Sequence, residues 1–68
     1  MANISVTFGK RVKEIRLQKN MSQADLAKVL GLHPTYISGI ERGVRNMALK
    51  NIEKLAKALR VPIADLMK

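Results

Sequence analysis

A chain of 68 residues holds one domain around one small core, and 47% hydrophobic residues set it apart from a disordered tail. Cysteine is absent, which excludes a disulfide framework and a thiolate metal site. Thirteen basic against five acidic side chains give a net charge of +8, which favours a polyanionic partner such as nucleic acid, although ribosomal and membrane-surface proteins share it. Met1 to Thr7 carry no positive side chain and lead into no long apolar run. The expectation is a soluble, cytoplasmic protein with no secretory signal and no membrane span.

In chain order, residues 1–6 form a lead-in whose Ile4 and Val6 either pack as an arm or fray. Thr7 is a candidate N-cap, and Phe8, Val12 and Ile15 follow at helical spacing, predicting a first helix over 8–19. Lys10, Arg11, Lys13 and Lys19 read as its solvated face. Ser22 caps a second helix over 23–30, with the Asp25 carboxylate near its N-terminus. Ala27 is small where a crossing helix needs room, and Gly31 supplies the turn. His33 stands at the N-cap and Pro34 at the first position of a third helix over 34–42, which Gly43 terminates in the left-handed region. Leu26, Leu30, Leu32, Ile37 and Ile40 then face inward, leaving Thr35, Ser38, Gly39 and Arg42 outward. Residues 44–47 form a loop. Leu49, Ile52, Leu55, Ala56 and Leu59 mark the inner side of a fourth helix over 48–59, with Lys50, Lys54 and Lys57 on the other side. Arg60-Val61-Pro62 interrupts it, and Ile63, Leu66 and Met67 form the inner side of a last turn over 63–67. The reading is an all-α, five-helix unit spanning 1–68, with two of its helices at helix-turn-helix spacing.

No catalytic constellation is apparent, because Glu14, Asp25, Glu41, Glu53 and Asp65 are scattered among caps and helix faces. The single His33, without cysteine or clustered carboxylates, cannot fill a zinc shell. A non-enzyme with no metal and no cofactor is expected.

Ser22-Gln23-Ala24-Asp25-Leu26-Ala27, Gly31-Leu32 and Tyr36-Ile37-Ser38-Gly39-Ile40-Glu41-Arg42-Gly43 resemble the phage-repressor and Cro-like helix-turn-helix family, over nearly the whole chain from Phe8 to Met67. Thr35 through Arg42, followed by Arg45-Asn46, looks most like the controller proteins of restriction-modification systems. The resemblance implies a lambda-repressor-like fold that binds duplex DNA, the second helix of the motif entering the major groove while the first lies across the backbone. It pairs Arg16 with Glu41 as a partly buried tie between the first and third helices. Gln23 matches the family's phosphate-contacting glutamine, and Asn46 resembles a second phosphate clamp. Thr35, Tyr36 and Ser38 carry base-edge or phosphate contacts, with Tyr36 alternatively an aromatic ring at the core edge. His33 is a cap or a phosphate neighbour.

Gly39 offers no side chain where the family often has a long polar one, so either its backbone approaches the DNA or specificity lies elsewhere. Arg42 and Arg45 are the candidates to supply it, Arg45 through the loop beside the groove, while Arg42 is equally a solvated helix end. Ala48 replaces a usual Ser or Thr cap, which points to Asn46 as a substitute cap, and Arg60 replaces a usual terminating glycine. The family pairs through its last two helices, so Val61, Ile63, Leu66 and Met67 are expected at the interface of a two-fold dimer reading a pseudo-palindrome. The alternative is that they complete the monomer core. RNA polymerase is a further partner that such regulators imply. The rival readings are a DNA-binding antitoxin, which usually needs an extra toxin-holding segment, and a phage or mobile-element repressor. A bacterial or phage-encoded, nucleoid-associated protein is expected.

Overall fold

Asn3 opens the first of five helices that a computed structural model describes over residues 3–68: α1 (Ile4–Gln18), α2 (Gln23–Leu30), α3 (Pro34–Glu41), α4 (Leu49–Leu59) and α5 (Ile63–Leu66). Met1 and Ala2, the start of the expected lead-in, lie outside the described residues. The first helix begins at Ile4 rather than Phe8, because asparagine is the stronger N-cap: the Asn3 Oδ1 accepts from the Ser5 N–H at 2.8 Å. Thr7, expected as the cap, sits inside the helix with its N–H donating to the Asn3 carbonyl at 3.0 Å. Ile4 to Val6 are therefore neither an arm nor frayed. Val6 lies so close to Gly43 that a Cβ there would come within 2.7 Å of the Val6 Cγ2.

The core gathers Val12 and Ile15 from α1, Leu26 and Ala27 from α2, Ile37 and Ile40 from α3, and Leu55 and Leu59 from α4, the three- and four-residue steps of amphipathic helices. Gly9 sets how α1 meets α3. A Cβ at Gly9 would collide with the backbone carbonyl oxygens of Ile40 and Glu41, so the two backbones touch where any other residue would hold them apart. That contact justifies glycine in a helix interior, where it otherwise weakens the helix.

Four helices close in one way. Asn20, Gly31, Gly43 and Arg60 take φ of +58°, +70°, +78° and +59°. The next N–H then reaches five residues back, from Met21 to Arg16, Leu32 to Ala27, Val44 to Gly39 and Val61 to Ala56, at 2.9–3.1 Å, which satisfies carbonyls that a helix end leaves open. Arg60 keeps this closure without glycine's freedom.

The start of α4 differs from expectation. Ala48 is its N-cap and supplies no side-chain bond, and Asn46 does not substitute for it, since its Oδ1 accepts instead from the Ser5 hydroxyl at 2.6 Å. Leu49, at the first position of the helix, lies beyond the edge of the core and is 83% exposed, while Met47 from the preceding loop is buried in its place. Helix α3 ends at Glu41 with Arg42 as its cap, and α5 ends at Leu66 with Met67 as its cap. No helix among the described residues is long and apolar enough to cross a membrane.

Two substitutions test these local rules by urea unfolding. Gly9→Ala should destabilise, because overpacking costs about 1–3 kcal/mol against the ~0.5–1 kcal/mol that alanine ordinarily contributes in a helix. Arg60→Gly should stabilise by up to about 1 kcal/mol, since relief of a left-handed residue is worth about 1–2 kcal/mol and glycine's extra unfolded-state entropy takes back part of it.

Candidate nucleic-acid interface

Arg16 and Glu41 anchor the surface from within. Both are buried, and the guanidinium grips the carboxylate with two bonds, Nε to Oε2 at 2.6 Å and Nη2 to Oε1 at 3.0 Å. The Arg16 Nη1 donates to the Met21 carbonyl at 2.7 Å, tying in the turn that leads to α2. The hydrogen-bonded Glu41 carboxylate pushes the Arg16 pKa above its ordinary value. A third partner joins: the Gln23 Nε2 donates to the Glu41 Oε1 at 3.1 Å. The amide of Gln23 has a second N–H, and its first is spent on fixing the orientation of the group.

Gln23 opens α2, whose N-terminus carries a complete capping box. The Ser22 hydroxyl accepts from the Asp25 N–H and the Asp25 carboxylate accepts from the Ser22 N–H, each at 2.9 Å. That N–H, helped by the Ser22 hydroxyl, holds the Asp25 carboxyl below the usual carboxylate range. On α3, the His33 Nδ1 accepts from the Thr35 N–H at 3.1 Å, so His33 is the N-cap. An accepting Nδ1 requires the tautomer with its proton on Nε2, a donor on an exposed ring.

Thr35, Tyr36, Arg42, Arg45 and Asn46 line one open groove, together with the exposed Val44. The Tyr36 ring packs against the core, the alternative that the sequence offered for it, and its hydroxyl donates to the Asn46 carbonyl at 3.1 Å. Arg45 crosses that ring, its Cζ 5.9 Å from the centroid, a cation–π distance. Ser38 is half-buried on the same helix. Gln23 lies apart from this groove, held on Glu41.

Two expectations change. Gly39 keeps its outward place on α3 but is buried there, because the Arg45 side chain covers it: a Cβ at Gly39 would stand 2.9 Å from the Arg45 Cγ. Leu66 is 0% exposed and belongs to the monomer core, so it is unavailable to a partner. Ile63 and Met67 remain about half exposed, and Val61 packs against the core. Sequence reasoning missed Ser5, which holds the Asn46 side chain from α1, and Val44 on the groove. The signal for Ser5 was Asn3, whose capping strength starts α1 early enough to bring Ser5 into reach. Val44 carried no signal beyond being apolar in a loop.

An all-helical fold in which α2 and α3 are joined by a tight turn at Gly31, with a cationic groove along α3, defines a helix-turn-helix nucleic-acid-binding domain. Residues 12–66 match the helix-turn-helix family, and the chain belongs to that family of DNA-binding transcriptional regulators. It is 58% identical over 66 residues to control protein C.BamHI of Bacillus amyloliquefaciens, covering 96% of this chain and 82% of that protein. It is 37% identical over 67 residues to control protein C.MunI of a Mycoplasma species, covering 97% and 90%. Among solved structures, the restriction-modification controller protein C.AhdI from Aeromonas hydrophila superposes with a TM-score of 0.87 at 47% identity, covering 91% of this chain and 94% of that one.

The buried network makes a prediction. Glu41→Ala leaves the Arg16 guanidinium buried without its carboxylate and should lower stability in urea by roughly 3–5 kcal/mol, whereas a loss below about 1 kcal/mol would equate it with an exposed pair.

Proposed function

We propose that this protein is the control protein of a restriction-modification system, a cytoplasmic regulator that binds a pseudo-palindromic duplex operator as a two-fold dimer. The observation that carries the reading is the groove along α3, where Arg42 and Arg45 stand exposed beside Thr35, Tyr36 and Asn46. Arginine can pair bidentately with guanine O6 and N7, worth about 1–3 kcal/mol of discrimination, and the major groove is where that pattern is displayed. Arg45 is the base reader in this account. Thr35 and Ser38 supply shorter hydroxyl contacts, and the exposed Val44 adds an apolar surface of the kind that meets a thymine methyl.

Phosphates position the helix. The second N–H of the Gln23 amide, the open amides at the start of α2 and the His33 Nε2–H are donors of the kind that grip phosphate oxygens. Arg42 holds a phosphate at the other end of α3, and Asn46 does so beside it. The deep, narrow major groove of an A-form duplex does not admit such a helix, so duplex DNA is the substrate rather than duplex RNA.

The dimer face needs revision from the sequence expectation. Ile4, Phe8, Met47, Leu49, Ile52 and Met67 form the apolar part of a second groove whose polar edge is Ser5, Arg45 and Asn46, and Ile4 and Leu49 are 78% and 83% exposed. A face of this kind on a small domain favours association. It includes Met67, the cap of α5, so the dimer pairs through the end of α5, the start of α4 and the first turn of α1. The two recognition helices of such a dimer meet successive major grooves about 34 Å apart. Contact with RNA polymerase belongs to the same proposal and would follow DNA binding.

Selection of duplexes from a random pool, followed by anisotropy titration of the selected site, tests the reading. Arg45→Ala should weaken binding and relax preference at one base pair per half-site. Log affinity should fall with log salt, at about −0.9 per phosphate neutralised; a folded protein with no preference among duplexes contradicts the proposal. Leu49→Glu should shift sedimentation from dimer to monomer and weaken operator binding with helicity intact, whereas an unchanged dimer would move the interface elsewhere.

A further inference from the structure

Two glycines stand inside helices, Gly9 in α1 and Gly39 in α3, and their surroundings differ in kind. Gly9 faces backbone. The nearest atoms to a Cβ at Gly39 all belong to one flexible side chain, the Arg45 Cγ at 2.9 Å, Cδ at 3.2 Å and Nε at 3.5 Å. Gly39 has helical geometry and needs no left-handed freedom, so what its missing side chain provides is a place for the arginine stem.

The rest of that place is built by neighbours. Tyr36 lies three residues before Gly39 and therefore beside it on the helix, and its ring stands 5.9 Å from the Arg45 Cζ. The Tyr36 hydroxyl holds the carbonyl of Asn46, the residue after Arg45, while Ser5 holds the Asn46 side chain. The chain is thus fixed immediately after Arg45, and the stem lies across α3 between the tyrosine ring and the bare backbone of Gly39. Arg45 itself stays exposed, and the ion pairs among the described residues involve Arg11, Arg16 and Lys68 rather than Arg45.

We infer that Gly39 is a specificity-determining residue that acts through Arg45: by carrying no side chain, it seats a loop arginine across the DNA-facing side of α3, in the place where a helix side chain would otherwise read the base. Bidentate recognition depends on the direction of the guanidinium plane, and an arginine already laid along a surface loses less rotamer freedom on binding than one free in solvent. Gly39 is a positioning residue in this scheme and touches no base. The inference rests on the proposed role of Arg45.

Stability and specificity should respond to Gly39→Ala in opposite directions. Alanine is the better helix former and only arginine methylenes are in its way, so the variant should melt at or above the temperature of the parent. It should nevertheless lose the preference at the base pair whose identity stops mattering in Arg45→Ala, about five- to hundredfold in relative affinity. In the double variant the alanine at position 39 should add no further loss. Gly39→Ala with undiminished preference, beside an Arg45→Ala that loses it, overturns the seat and leaves the functional reading standing. A loss from Gly39→Ala that persists in the Arg45→Ala background shows direct contact between residue 39 and DNA, which also overturns it, as does a variant that melts well below the parent. Full preference retained by Arg45→Ala removes the base-reading role and this inference with it.

Discussion

Where α1 crosses α3, backbone meets backbone at Gly9 and a buried ion pair closes beside it. Everything outward of this junction takes its position from it. Gly9 lets the helices approach until the Ile40 and Glu41 carbonyls leave no room for a Cβ, and at that separation Arg16 can reach Glu41 with two bonds and the Met21 carbonyl with a third. Burying two charges is expensive unless the remaining donors and acceptors are filled. Here they are, and among the described residues no buried side-chain nitrogen or oxygen lacks a partner. The network need not add stability over an apolar substitute. What it does is fix one arrangement of α1, α2 and α3, because Gln23 of α2 bonds to the same carboxylate.

From that fixed frame the outer surface is assembled by short links. Val6 abuts Gly43 at the end of α3, Ser5 holds Asn46, and Tyr36 holds the chain beside Arg45. The first turn of α1 thus supports the loop after α3, on the side away from the core. A loop held from two sides is a better platform for a charged side chain than a free one, since less conformational entropy is lost when it engages a ligand. The same turn of α1 carries Ile4 into the exposed groove with Leu49 and Met67, and Arg45 and Asn46 line both this groove and the one along α3, so the proposed dimer face and the proposed DNA face adjoin.

Local signals in the chain were readable wherever the cause was local. Apolar spacing marks α2, α3 and most of α4, and Ser22 with Asp25, His33 with Pro34, and Gly31 mark their ends. The residues of the groove other than Val44 were nameable through the match to a known motif. What escaped was set at a distance. Asn3 and Thr7 are both capping residues, and ranking them was possible from capping strength alone. That Gly9 permits a helix crossing, that Met47 rather than Leu49 enters the core, and that Gly39 lies under Arg45 depend on segments far apart in sequence. The exposure of Leu49 shows the limit of periodicity: the spacing of a helical face does not say where the core beneath it ends.

The central proposal is that the junction of α1 and α3 holds the α3 groove and the start of α2, which lie apart, in the fixed arrangement that one DNA duplex meets at both. Titration of the nitrogen-15-labelled protein with its selected duplex, followed by amide chemical shifts, tests this most directly. The account predicts that the largest changes fall together on Gln23, Thr35, Ser38, Arg45 and Asn46. Changes confined to the lysine face of α4, at Lys50, Lys54 and Lys57, with the α3 groove undisturbed, would contradict it.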